Sequence, residues 1–103
     1  MKYLNSLIIE GTIKGIPSYK QHEKQKGFTL YTYREVKLKD GRVDTRESVF
    51  KVKVIYPNAL KQFNNLDTGR PVRVVGRIES TPAGNVYIYA EWIGNLTDQR
   101  KTE

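Results

Sequence analysis

Residues 50–78 read FKVKVIYPNALKQFNNLDTGRPVRVVGRI, and the fold turns on them. Phe50, Val52, Val54 and Tyr56 alternate with Lys51 and Lys53, the period of a half-buried strand, and Pro57 ends the run. From Asn58 to Leu66 the period changes. Ala59, Leu60, Phe63 and Leu66 recur at three- and four-residue spacing, which predicts a short helix that Asn58 is placed to cap. Thr68-Gly69 stops it. From Pro71 to Glu79, Val72, Val74 and Ile78 again alternate with Arg73, Val75 and Arg77. One short helix therefore separates two alternating strands.

The same period of two extends in both directions. Leu7, Ile9 and Ile13 alternate with Ile8, Glu10 and Thr12 in a first strand, and Gly11 interrupts it where a bulge or sharp coil is useful. Residues 14–27 are polar and Lys-rich, with Pro17 and two glycines, and read as a long loop. Residues 28–38 form a second strand. In it Phe28, Leu30, Val36 and Leu38 share one parity, and Tyr31, Tyr33 and Lys37 the other. Asp40-Gly41 between extended segments predicts a hairpin, because both central positions tolerate positive φ. The third strand then runs from roughly Thr45 to Tyr56. Beyond the fourth, Pro82-Ala83-Gly84-Asn85 forms a turn and residues 86–93 form a fifth strand. The expected architecture is all-β: a five-stranded OB-fold barrel with one short helix between strands 3 and 4. Residues 1–96 make the domain, and residues 97–103 form a polar, frayed tail.

Composition narrows the function classes. A chain of 103 residues holds one core. Its 18 Lys and Arg against 11 Asp and Glu leave a net charge of +7, with a pI near 9.7, the electrostatic footprint of a nucleic-acid binder. Seven Tyr, three Phe and one Trp supply flat faces on which bases stack. The absence of cysteine removes disulfides, thiolate nucleophiles and thiolate metal sites. His22, the sole histidine, stands in a charged loop, and no cluster of side chains has metal-ligand spacing. The glycines match no phosphate-loop pattern. Neither a secretory leader nor a bilayer-length apolar run is present. The expectation is a cytoplasmic, non-enzymatic protein with no cofactor, no metal, no membrane contact and no small-molecule substrate.

The ordered motifs resemble those of bacterial single-stranded DNA-binding proteins. Leu4-Asn5-Ser6-Leu7-Ile8-Ile9-Glu10-Gly11-Thr12-Ile13 is similar to their first strand, and Phe50 to Tyr56 to their third, with an aromatic at each end. Leu60 to Leu66 resembles the helix after it. Thr68-Gly69-Arg70-Pro71-Val72-Arg73-Val74-Val75-Gly76-Arg77-Ile78 is similar to the Gly-x-x-Val-x-Val-x-Gly-x-Leu segment of that family. The likeness spans roughly residues 4–93. Two features depart from it: only Ser80 to Asn85 join the last two strands, where the family has a long basic hairpin, and the acidic C-terminal tip is absent. The resemblance implies non-specific single-stranded DNA binding in replication, recombination or repair, and a homo-oligomer, either tetramer or dimer. The short form looks like a phage, plasmid or mobile-element protein, or a primosomal relative. Two other functions stay open: an interaction module for a helicase, primase or polymerase, and an RNA-binding OB protein.

The candidate nucleic-acid-binding residues are given by parity, charge and resemblance. Tyr31 and Tyr33 face out beside Lys37 if Phe28 and Leu30 fill the barrel. For Phe50 and Tyr56 two readings stay open. The resemblance makes them base-stacking aromatics, whereas their parity with Val52 and Val54 puts them on the core face unless a bulge intervenes. Arg73 and Arg77, with Lys51 and Lys53 less distinctively, are placed to meet phosphates. Tyr87 and Tyr89 alternate with Val86, Ile88 and Ala90 and are expected to be exposed. Trp92 shares that apolar parity and is expected in the core. Lys20, with Lys14, Lys24 and Lys26, belongs to a basic flap beside Tyr19.

Overall fold

A computed structural model describes residues 3–15, 26–63 and 65–96 of the chain. Its elements are β1 (Leu7–Ile13), β2 (Lys26–Lys37), β3 (Val43–Val54), α1 (Pro57–Phe63), β4 (Pro71–Ser80) and β5 (Val86–Asn95). The strands close into a barrel in the order β1-β2-β3-β5-β4, and every pairing is antiparallel except β3 with β5. This is the OB fold, with its helix between the third and fourth strands. Lys20, Tyr19, His22 and Lys24 of the expected flap, and the 97–103 tail, lie outside the described residues.

Alternation builds the core. Ile13, Phe28, Leu30, Val52, Val54, Val72, Val74, Ile88, Ala90 and Ile93 point inward from all five strands, while Ala59 and Phe63 of α1 and Leu66 beyond it close one end. The helix is shorter than its apolar period suggested, and Asn58 does not cap it. Pro57 takes the first helical position, where its missing N–H costs nothing, and the Leu60 N–H donates to the Tyr56 carbonyl at 2.9 Å. Leu66 still reaches the core, because a turn in which its N–H donates to the Phe63 carbonyl carries it there.

Both hairpins use one turn. The Gly41 N–H donates to the Leu38 carbonyl and the Gly84 N–H to the Thr81 carbonyl, and each glycine alone has positive φ, at 88° and 91°. The hairpin forms as expected, and Asp40, though tolerant of the left-handed conformation, does not take it. A single glycine at the end of the turn gives the loop its reversal without straining a residue that carries a Cβ. Instead, the Asp40 carboxylate accepts from the Arg42 N–H at 3.0 Å.

Two positions in the strands depart from simple alternation. Between Val75↔Trp92 and Gly76↔Ala90, β5 carries one extra residue, Glu91. This bulge reverses the parity of the residues beyond it: Ile93 becomes fully buried and Trp92 turns out, 43% exposed. The expectation that Trp92 sits in the core is thereby corrected. The second departure is an absence. The β2–β3 register runs unbroken from Lys26↔Val54 to Lys37↔Val43, so no bulge lies within β3. Phe50 consequently faces inward with Val52 and packs against the core, while Tyr56 escapes because the strand ends at Val54. The bulge location can be tested by substitution. Ile93→Ala should lower stability by about 2–5 kcal/mol, the usual result of emptying a closed apolar site. Trp92→Ala should cost clearly less, despite its greater size. The opposite order in denaturant melts would place the bulge elsewhere.

Candidate nucleic-acid interface

Outward-facing side chains of four adjoining strands make one continuous surface. On β2 these are Tyr31 and Tyr33, whose ring centroids are 6.2 Å apart. Across the ladder, Tyr31 lies opposite Val49 and Thr29 opposite Lys51. Further along, Lys53 of β3 lies opposite Tyr89 of β5, and Tyr89 opposite Arg77 of β4. Tyr87 stands beside Tyr89 on the same face. Tyr56, just past β3, meets this row through a hydrogen bond that the Arg77 guanidinium donates to its hydroxyl. The result is a belt of five tyrosines interleaved with cations, spanning about 15 Å across β2, β3, β5 and β4 at the usual strand spacing.

Most of these rings already carry a cation. The Lys14 ammonium sits 4.4 Å from the centroid of Tyr31, and Lys53 sits 4.1 Å from Tyr87 and 5.9 Å from Tyr89. The Arg77 guanidinium lies 5.5 Å from Tyr56. Each such contact is worth roughly 0.5–1 kcal/mol at an exposed site. That is enough to hold the cation near the ring and too little to keep a competing flat group away. Tyr33, 63% exposed, is the open ring of the set.

The structure sorts the expected site residues. Tyr31, Tyr33, Tyr56, Tyr87, Tyr89 and Arg77 come together in the belt. Lys37 shares its face two outward positions beyond Tyr33, near the tip of the β2–β3 hairpin. Arg73 points outward on β4 but its Nε donates to the Glu10 carboxylate at 2.7 Å, so its charge is already engaged. Phe50, on the core face, is outside the belt. Sequence reasoning treated Lys14 as part of a flap and missed Glu47 altogether. The hairpin register alone locates Glu47, opposite Tyr33. No described residues form a cluster fit to hold a metal ion, and no described helix is long and apolar enough to cross a membrane.

A cleft of about 520 Å³ opens where β2 leaves β1. β1 pairs with β2 only at Thr12↔Tyr31 and Ile13↔Leu30, and before that it belongs to β4. Gly11 allows the handover, since a Cβ there would meet the Tyr31 carbonyl oxygen at 2.5 Å. Past this seam no described strand pairs with β2 on the β1 side, and Tyr31, Thr32, Tyr33 and Arg34 line the gap.

Glu47 sets the electrostatics of Tyr31. Its carboxylate accepts a hydrogen bond from the Tyr31 hydroxyl, which raises the phenol above its ordinary value of 10.0. Burial, the negative charge of Glu47 and the neighbouring Tyr33 push in the same direction. Because the neutral phenol is the favoured form, the contact is intact below pH 10 and is lost as pH rises through the elevated value. Spectrophotometric titration at 295 nm, with Tyr31→Phe identifying the component, should show Tyr31 ionising late. Glu47→Gln should bring it down towards 10, and an unchanged curve would show that the carboxylate does not hold the ring.

No family model matches the sequence, and no curated protein matches it. Solved structures do. The chain is similar to the Plasmodium falciparum SSB in complex with ssDNA, with a TM-score of 0.76 and 18% identity over 94% of this chain and 98% of that one. It is similar to the small single-stranded DNA-binding protein of Streptomyces coelicolor, with a TM-score of 0.71 and 19% identity over 96% and 99%. The wild-type single-stranded DNA binding protein of Thermus aquaticus gives a TM-score of 0.74 and 19% identity over 94% of this chain and 52% of that one. This chain thus spans about half of the Thermus protein. At such identities the likeness is one of fold: the chain is an OB barrel built as these single-stranded DNA-binding proteins are built, the family whose motifs its sequence resembles.

Proposed function

We propose that the protein binds single-stranded DNA without strong sequence preference and performs no catalysis. The observation that carries this reading is the belt itself, in which outward-facing tyrosines, four half-buried and Tyr33 exposed, alternate with Lys14, Lys51, Lys53 and Arg77 across four strands. Bases stack on Tyr31, Tyr33, Tyr56, Tyr87 and Tyr89. The cations that cover those rings in the free protein move to the phosphates. Stacking on an aromatic is worth on the order of 1–3 kcal/mol per base, more than the cation contact it displaces. The displaced cation is not wasted, because neutralising a phosphate releases a counterion. Every base has a flat face, so such a belt does not discriminate strongly among sequences. The ssDNA held by the Plasmodium neighbour supports the same reading.

Assembly has separate support. Ile8, 69% exposed, lies opposite Val75, and Val75 lies opposite Trp92. This apolar cross-strand row flanks the belt on the outer surface of β1, β4 and β5. A homo-oligomer, dimer or tetramer, covers it in the reading we favour. A helicase, primase or polymerase seated on the same row is the alternative. With its proposed DNA-holding surface, the protein would act in replication, recombination or repair, in the cytoplasm.

Titration with dT oligomers across a salt series tests the reading. Affinity should fall steeply, with log K against log salt declining by about 0.7 for each phosphate neutralised. Tyr31→Ala and Tyr89→Ala should each weaken binding by about 5- to 150-fold, the equivalent of one lost stack. Millimolar, salt-independent binding would overturn it, and preference for matched RNA would redirect it to RNA.

A further inference from the structure

Beyond the barrel, β2 and β3 continue as a two-stranded ribbon, and residues 43–49 are exposed on both faces. Alternation assigns each face. Phe28 and Leu30 point into the core, so the same face further out carries Thr32, Arg34 and Val36 from β2. Their partners on β3 are Ser48, Arg46 and Asp44. Arg34 therefore stands directly opposite Arg46. Like charges in that position repel, since facing Cβ atoms are only about 4.5–5.5 Å apart. One of the two has an ion pair: the Arg46 Nε lies 3.2 Å from Asp44. Arg34 makes no ion pair with any described residue.

We propose that Arg34, backed by Arg46, is a phosphodiester-binding site at the open edge of β2, holding the backbone of the strand whose bases stack on Tyr31 and Tyr33. The inference rests on the single-strand reading above and adds two residues that nothing in it requires. Three features converge. Arg34, unpaired and facing a second guanidinium that has only Asp44, favours an anion beside it, and a guanidinium fork matches phosphate oxygens in a two-pronged contact. The remaining side chains between the barrel rim and this pair, Thr32 and Ser48, are hydroxyls, and no apolar group there awaits a protein core. Arg34 also lines the same cleft as Tyr31 and Tyr33, where no described strand pairs with β2. Two carboxylates line that cleft. Glu10 is held by Arg73, and Glu35 alternates with Arg34 onto the tyrosine face. Glu10 disfavours phosphate on the β1 side and Glu35 on the tyrosine face, which leaves the arginine face of β2 as its place.

The test is the salt dependence of dT-oligomer binding, read together with thermal stability. Arg34→Ala should reduce the slope of log K against log salt by about 0.7, and Arg34→Ala/Arg46→Ala by up to about 1.4. Arg34→Lys/Arg46→Lys should keep the slope. Tyrosine quenching at saturation should be unchanged, because the stacking rings are intact. The melting temperature of Arg34→Ala should equal or exceed that of the wild type, since the substitution relieves repulsion. Wild-type binding with unchanged slopes in both alanine variants would overturn the proposal and leave the arginines to solvent or to an acidic protein surface. A lowered melting temperature together with lost quenching would overturn it too, by making their role structural. Failure of the wild type to bind at all would instead remove the single-strand reading, and this site with it.

Discussion

The register of β2 on β3 is the constraint on which the other features depend. The turn at Leu38 to Gly41 sets it, with Leu38 donating to the Arg42 carbonyl and Asp40 bonded to the Arg42 N–H. From there the ladder runs without interruption to Lys26↔Val54. Side chains in a strand alternate with a period of two, so a slip of one residue reverses every face. It would turn Phe28 and Leu30 to water and drive Tyr31 and Tyr33 into the barrel. The buried apolar residues forbid that slip. The tyrosines are thus held outward by the core beneath them, and Glu47 is brought beside Tyr31 by the same ladder.

A barrel this small must also bend, and its bends decide what alternation cannot. Gly11 allows β1 to leave β4 and meet β2 at close range. Glu91 adds one residue to β5, and the strand that began with Ile88 and Ala90 inward ends with Ile93 inward. Both devices are local, yet each has a distant effect. The first opens the cleft beside β2. The second places Trp92 on the outer surface against Val75, next to Ile8.

This explains which parts of the molecule were legible in the sequence. Strand order, the helix between the third and fourth strands and the outward tyrosines on β2 are consequences of local period, and local period is visible in residue types. Trp92 is not, because nothing in Ala90-Glu91-Trp92-Ile93 marks an extra residue: the bulge is demanded by closure of the sheet, a property of all five strands. Phe50 was ambiguous for a related reason. Resemblance suggested exposure and alternation suggested burial, and the unbroken register with β2 decides for burial. At the helix start, Pro57 outcompetes Asn58 because a ring that fixes φ and lacks an N–H fits the first helical position better than any other. The ion pair of Arg73 with Glu10 and the opposition of Arg34 to Arg46 need strand register, which residue types alone do not supply.

The cations over the rings bear on how such a surface exists in the free protein. Five tyrosine faces on a barrel of 103 residues would make an apolar patch that invites association. Lys14, Lys53 and Arg77 lie against those faces and keep them solvated. Because each contact is weak, the cover is exchangeable. In the binding mode we propose, a base displaces the cation and the phosphate attached to that base receives it. The free and bound states then use the same charges against different partners, and the gain comes from stacking and counterion release. Arg77 is the exception within the belt, since it also pairs with Glu79 at 2.9 Å and with the Tyr56 hydroxyl. Its guanidinium is positioned by two partners, whereas Tyr33 at the other end of the belt, beside the cleft, is the exposed ring.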